Sequence, residues 1–197
     1  MPDVRTQVHR YLAHVGHADR DALYVVSGGS NDAFFGLLSG HSPKELAHDA
    51  VATLRRETER LQRHGARHVL VPTLSEMQAT PYARKYSLGV ARLITAAFTR
   101  EVNHGLRAWV DGGARNVTLF DVHAVEARVL AAPHKYGLEN THEACLVGTQ
   151  KVEHEHGVAR HECAEPNRYF FFDLYHPTEH VHALLARGAA HALASSR

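Results

Sequence analysis

The feature that most constrains the fold is an alternation of apolar runs with helical segments. Ala22–Val26, His68–Pro72 and Asn116–Val122 are short, continuous, β-branched runs of the kind buried on both faces of a parallel sheet. A helix with clear boundaries separates the first two. Ser42 suits the N-cap, Pro43 the first helical position, Glu45 completes a capping box and Gly65 stops the helix, while Leu46, Ala50, Leu54 and Leu61 recur along one face. A second helical pattern runs from about Tyr86 to Val110, with Ala91, Ile94, Phe98, Val102, Leu106 and Trp109 as its apolar stripe and Gly112-Gly113 at its end. Shorter helices are expected over Thr6–His14, with Val8, Leu12 and Val15 on one side, and over Ala124–Leu130. A closing helix, Glu179–Ala194, turns Val181, Leu184 and Leu185 inward. Strand, helix, strand, helix, strand predicts an α/β fold with parallel strands. Function is then expected in the loops beyond the carboxyl ends of the strands: Ser27–Asp32, Thr73–Pro81 and the segment after Val122.

Composition fits one globular domain over 1–197, without internal repeats or a long linker. Charged residues are 22% and the AVILMFWYC set 44%, which excludes a mostly disordered chain. A net charge of +1 gives no footprint for nucleic acid or an anionic membrane. Histidine is over-represented at 18, and protonating all of them would move the formal charge from +1 to +19. No run approaches the length of a membrane span, and Met1-Pro2-Asp3-Val4-Arg5 does not resemble a signal peptide, so the chain as written reads as cytoplasmic. Cys145 and Cys163 point the other way, because such a pair is compatible with a disulfide and an oxidising compartment.

Two groups of residues have the composition of a reactive site. Asp173 and His176 stand three apart after the aromatic run Tyr169–Phe172, where a carboxylate can accept the imidazole Nδ1 proton and leave Nε2 as a general base. The plain alternative is a helix N-terminal Asp beside a surface His. Gly29-Ser30-Asn31-Asp32 follows the first strand, and a glycine N–H with an asparagine amide can form an oxyanion hole. Its plain alternative is an ordinary turn.

In this order the two groups resemble the third and fifth conserved blocks of the GDSL/SGNH esterase–lipase family: Gly-x-Asn-Asp after a buried strand, then Asp-x-x-His-Pro-Thr before the last helix. Ala22–Val26, Gly65–Pro72, Ala79-Thr80-Pro81, Lys135–Leu138 and Tyr169–Asp173 are similar to the secreted phospholipase/lecithinase/hemolysin-type branch. The resemblance implies a flavodoxin-like three-layer α/β/α sandwich and a Ser-His-Asp mechanism. It makes His176 the base, Asp173 its orienting partner, and Gly29 with Asn31 the oxyanion hole. It implies an acyl ester or lipid substrate, no cofactor and no metal.

The departure from the family lies in the nucleophile. No Gly-Asp-Ser triplet occurs in the sequence. Ser30, within Gly28-Gly29-Ser30-Asn31-Asp32, fails the Gly-x-Ser-x-Gly elbow at its last position and is not expected to replace it. The resemblance therefore implies the C-terminal two-thirds of such a domain, truncated at its start, secreted or periplasmic in origin and with very low activity by itself. An exposed edge on the first strand is expected to favour a homodimer or a covering partner. A non-catalytic acyl-ester binding module and an acyltransferase are the alternatives. Cys145 and Cys163, with His142, His154, His156 and His161 nearby, admit either a disulfide-closed loop or a zinc site; the family's lack of metal favours the disulfide.

Overall fold

The computed structural model describes residues 2–36, 40–86, 89–148 and 157–196. β1 (Leu23–Val25), β2 (His68–Pro72) and β3 (Val117–Phe120) form a parallel sheet in that spatial order. The register pairs Tyr24 with Val69 and Leu70 with Thr118. Successive side chains of a strand face opposite ways, so β2 turns Val69 and Val71 to one side and Leu70 to the other. On the first side lie α1 (Val4–Val15), α3 (Pro43–Arg63) and α5 (Val90–Asp111), whose Val8, Leu54, Phe98, Val102 and Leu106 complete the larger core. On the second, Leu70 and Phe120 pack with α6 (Val122–Ala131) and α7 (Glu179–Ser195) through Val122, Leu185 and Leu193. These layers make the α/β/α sandwich that the sequence implied.

The helix signals carry through where they are strongest. Ser42 caps α3 with both hydrogen bonds of the capping box, Pro43 opens it, and Gly65 follows its C-cap. Elsewhere the boundaries move. The segment read as one helix from Tyr86 is a short α4 (Pro81–Tyr86) and then α5, which starts after Gly89 at φ +59°; residues 87 and 88 lie outside the described residues. Ala91 is exposed in the first turn of α5, whereas Phe98, Val102 and Leu106 are fully buried. Val15, expected on the inner face of α1, is exposed because it is the last residue before the chain turns at Gly16. β3 stops at Phe120, since the Asp121 side chain accepts the Ala124 N–H and starts α6 two residues before the expected helix.

β1 departs further. It was expected to be buried on both faces, yet Leu23 is 48% and Val25 60% exposed. Tyr24 packs against the first core, while α7 packs over β3 and Leu70. Among the described residues β1 pairs with β2 alone.

The polar stretch from His134 holds more structure than its composition suggests. β4 (Asn140–Ala144) pairs in parallel with β7 (Tyr169–Phe171), and β5 (Leu146–Val147) pairs antiparallel with β6 (His161–Glu162). Leu138, Phe170, Phe171, Val129 and Val181 form their core. A disulfide joins Cys145 to Cys163, so these thiols are not zinc ligands. His142 and His161 are exposed, and His154 and His156 lie outside the described residues. Among the described residues no three metal-binding side chains cluster.

Candidate active site

β7 leads into a turn closed from both sides. The Phe172 N–H donates to the His176 carbonyl (2.8 Å), and the Thr178 N–H and hydroxyl donate to Phe170 and Tyr169 carbonyls (2.9 and 2.8 Å). Inside this turn Asp173 Oδ1 accepts the N–H groups of Tyr175 (2.8 Å) and His176 (2.7 Å), the local bonding that suits Asp to tight turns. The same carboxylate meets His176 Nδ1, with Oδ2 at 2.8 Å and Oδ1 at 3.0 Å. A carboxylate only accepts, so this network assigns a proton to Nδ1, and in the neutral ring the lone pair is then on Nε2. Nε2 has no hydrogen-bond partner among the described residues, and the ring is 73% exposed. The hydrogen bond expected from the sequence spacing is present.

At the carboxyl end of β1 the chain turns through Gly28 and Gly29. A Cβ on Gly28 would lie 2.9 Å from Val4 Cγ2, and Gly29 sits at φ +112°, where only glycine is unstrained. Ser30, Asn31 and Asp32 are not loop residues as expected; they form the first turn of α2 (Ser30–Gly36), with the Asp32 N–H donating to the Gly29 carbonyl (3.1 Å). Ser30 and Asn31 are exposed. No hydrogen bond joins Gly29 or Asn31 to His176 among the described residues.

What connects the two groups is the segment after β2. A Cβ on Gly29 would lie 3.5 Å from both methyls of Leu74. Leu74 is held at its backbone by Asn103 of α5, whose Oδ1 accepts the Leu74 N–H (2.7 Å) and whose Nδ2 donates to the Leu74 carbonyl (3.0 Å). Further along, the Tyr82 N–H donates to the Leu174 carbonyl (3.0 Å), and the Tyr82 and Tyr175 rings lie 4.8 Å apart. The segment thus spans from the glycine turn to the Asp173–His176 turn.

Two buried polar residues here escaped the sequence reading. Asn103 follows Val102 in the α5 stripe, and Glu126 stands at helical spacing between Val122 and Val129; a polar residue on an apolar face was the available signal. Glu126 accepts the Ser75 hydroxyl (3.0 Å) and the Glu76 N–H (3.3 Å). Burial pushes its carboxyl up to about 7, against the opposing pull of those two donors. Burial also acts to raise Asp121, but the Arg107 guanidinium at 2.7 Å and the Ala124 N–H hold it below its ordinary value.

Clefts of about 630 and 400 Å³ open at the amino ends of the strands, around Leu23, His68 and Val117, away from these loops. A cleft of about 240 Å³ at the carboxyl end is bounded by Glu76, Gln78, Thr99, Asn103, Arg107 and His123.

The model of the GDSL-like lipase/acylhydrolase family matches residues 2–189. An uncharacterized protein in the trpE-trpG intergenic region of Pseudomonas putida is 30% identical over 85% of the chain and 28% of its own length. A thermolabile hemolysin of Vibrio parahaemolyticus is 28% identical over 93% of the chain and 45% of its own length. A GDSL esterase/lipase of Arabidopsis thaliana is 23% identical over 88% and 52% respectively. The chain spans about half, or less, of the length of these relatives. It belongs to the GDSL-like lipase/acylhydrolase family.

Proposed function

We propose that this chain, as one domain over 1–197, carries the base and oxyanion portion of a serine ester hydrolase acting on acyl esters such as lipids or short-chain esters. The observation that supports it best is the two-oxygen contact between Asp173 and His176 Nδ1, with Nε2 exposed on the other side. In this reading His176 Nε2 removes the proton of an attacking serine hydroxyl and returns it to the leaving alcohol. Asp173 holds the tautomer and stabilises the imidazolium. The Gly29 N–H and the Asn31 amide donate to the oxygen that becomes negative in the tetrahedral intermediate. The nucleophilic serine is not among the 197 residues and is contributed by a Gly-Asp-Ser segment beside β1, whose edge, unpaired among the described residues, and exposed Leu23 and Val25 suit a covering strand, a partner or a second copy. The disulfide supports a secreted or periplasmic setting.

Loss of the nucleophile from a serine triad costs roughly a millionfold in kcat. The chain alone is therefore expected to hydrolyse p-nitrophenyl butyrate no faster than its His176→Ala variant. Robust turnover abolished by His176→Ala would overturn the missing-nucleophile reading and return Ser30, exposed beside Gly29, as the first candidate.

A further inference from the structure

Glu126 has no part in that mechanism, yet it occupies the junction of three elements. It is 3% exposed on α6 and accepts the Ser75 hydroxyl and the Glu76 N–H, so it grips the segment just after β2. A cavity of about 20 Å³, room for one water-sized molecule, lies between Glu126 and Thr80, Phe171, Tyr175 and Pro177, the last two flanking His176. We propose that Glu126 is a positioning residue for the Asp173–His176 pair, bracing the Ser75–Thr80 segment against α6 in its uncharged form and loosening it on ionisation. The proposal rests on the reading of His176 as the base.

The charges around it explain the dependence. Glu76, on the gripped segment, repels an ionised Glu126, and its own partner is His123 of α6 at 2.7 Å. Asp121 is neutralised by Arg107, and Arg84 of α4 donates to the Ala79 carbonyl (2.9 Å) on the same segment. Across the cavity, Asp173 is paired with His176. None of the neighbouring cations forms an ion pair with Glu126 among the described residues. An ionised carboxylate there would be buried with two donors and no ion pair of its own, since His123 is already paired with Glu76, a costly state. Relief comes from moving the segment toward solvent. Tyr82, next along the chain in α4, makes the contacts to Leu174 and Tyr175, so a shift of the segment passes through α4 to the His176 turn.

Amide hydrogen exchange of the 197-residue chain between pH 5.5 and 8.5, corrected for intrinsic rates, tests this without requiring turnover. Protection of the Tyr82, Phe172, Tyr175 and His176 amides is expected to fall about tenfold or more as pH rises from 5.5 to 7 and to level off above it, and to stay level throughout in Glu126→Gln. Level protection in the wild type overturns the proposal. So does an equal fall in Glu126→Gln, which would assign the change to the His123–Glu76 pair or to His176. Should the variant not fold, side-chain carboxyl NMR of the wild type decides. A Glu126 midpoint near 7 shared by the Tyr175 and His176 amide shifts supports the brace, and a midpoint below 5 or unmoved amides contradicts it. The brace and the esterase reading fail separately: a pH step without any ester hydrolysis on addition of a serine segment removes only the latter, and hydrolysis with level protection removes only the former.

Discussion

β1 and β2 lie side by side in one parallel sheet, but β2 is sealed on both faces and β1 is open on one. Leu70 of β2 is buried under α7, while Leu23 and Val25 of β1 are largely exposed on that same face of the sheet. The strands have similar apolar content, so the difference comes from what lies over and beside them. Among the described residues β2 has a neighbour on each side, and β1 has one. The open strand lies beside the turn that presents Gly29, next to the candidate site, and that asymmetry is the ground for proposing a Gly-Asp-Ser segment beside β1.

The sharpest way to break the comparison is to make one substitution in both strands. Leu70→Ala is expected to cost about 4 kcal/mol, as large-to-small changes in a sealed core do, and Leu23→Ala less than about 1 kcal/mol. Urea denaturation measures both, and similar losses would mean that β1 is covered in solution.

Two effects of about 3 kcal/mol come next, both on the C-terminal side of the molecule. Replacing Cys145 and Cys163 together by alanine should remove about 3 kcal/mol, because β5 and β6 are two residues each and the disulfide limits the unfolded chain. A change below about 1 kcal/mol would show that the small sheets hold themselves. The second effect is on pH dependence. Glu126 is raised from 4.5 to about 7 in the folded state, so between those values the folded protein keeps a proton that the unfolded chain has released. Its contribution is fully present below 4.5 and is lost as pH rises to 7, by up to about 3 kcal/mol. Glu126→Gln should flatten that slope; an unchanged slope assigns it elsewhere.

The smallest effect separates chemistry from stability. His176→Ala should alter stability by less than about 0.5 kcal/mol, since the ring is mostly exposed and its one ion pair is near the surface. A larger loss in urea would give the pair a structural role.

What was legible in the sequence tracks how local each feature is. The α3 boundaries follow from Ser42, Pro43 and Glu45, whose capping interactions involve only their neighbours, and β2 was read to the residue. The Asp173–His176 contact was legible for the same reason: it closes within three residues. The exposure of β1 was not, because an apolar run looks alike whether or not a helix later covers it. Nor were Asn103 and Glu126, whose partners Leu74 and Ser75 lie 29 and 51 residues away in the chain. The short strands between 140 and 162 sit in a polar stretch that gives no periodic signal and are held by β7 and the disulfide.

The most direct test of the central claim is ester hydrolysis after a Gly-Asp-Ser segment is supplied. A segment carrying the Gly-Asp-Ser block that the family resemblance implies, joined ahead of the chain or added in trans, should confer hydrolysis of p-nitrophenyl butyrate. That activity should be lost with His176→Ala or Asp173→Ala. A folded, complemented protein whose activity is absent or survives His176→Ala would contradict the assignment of His176 as the base.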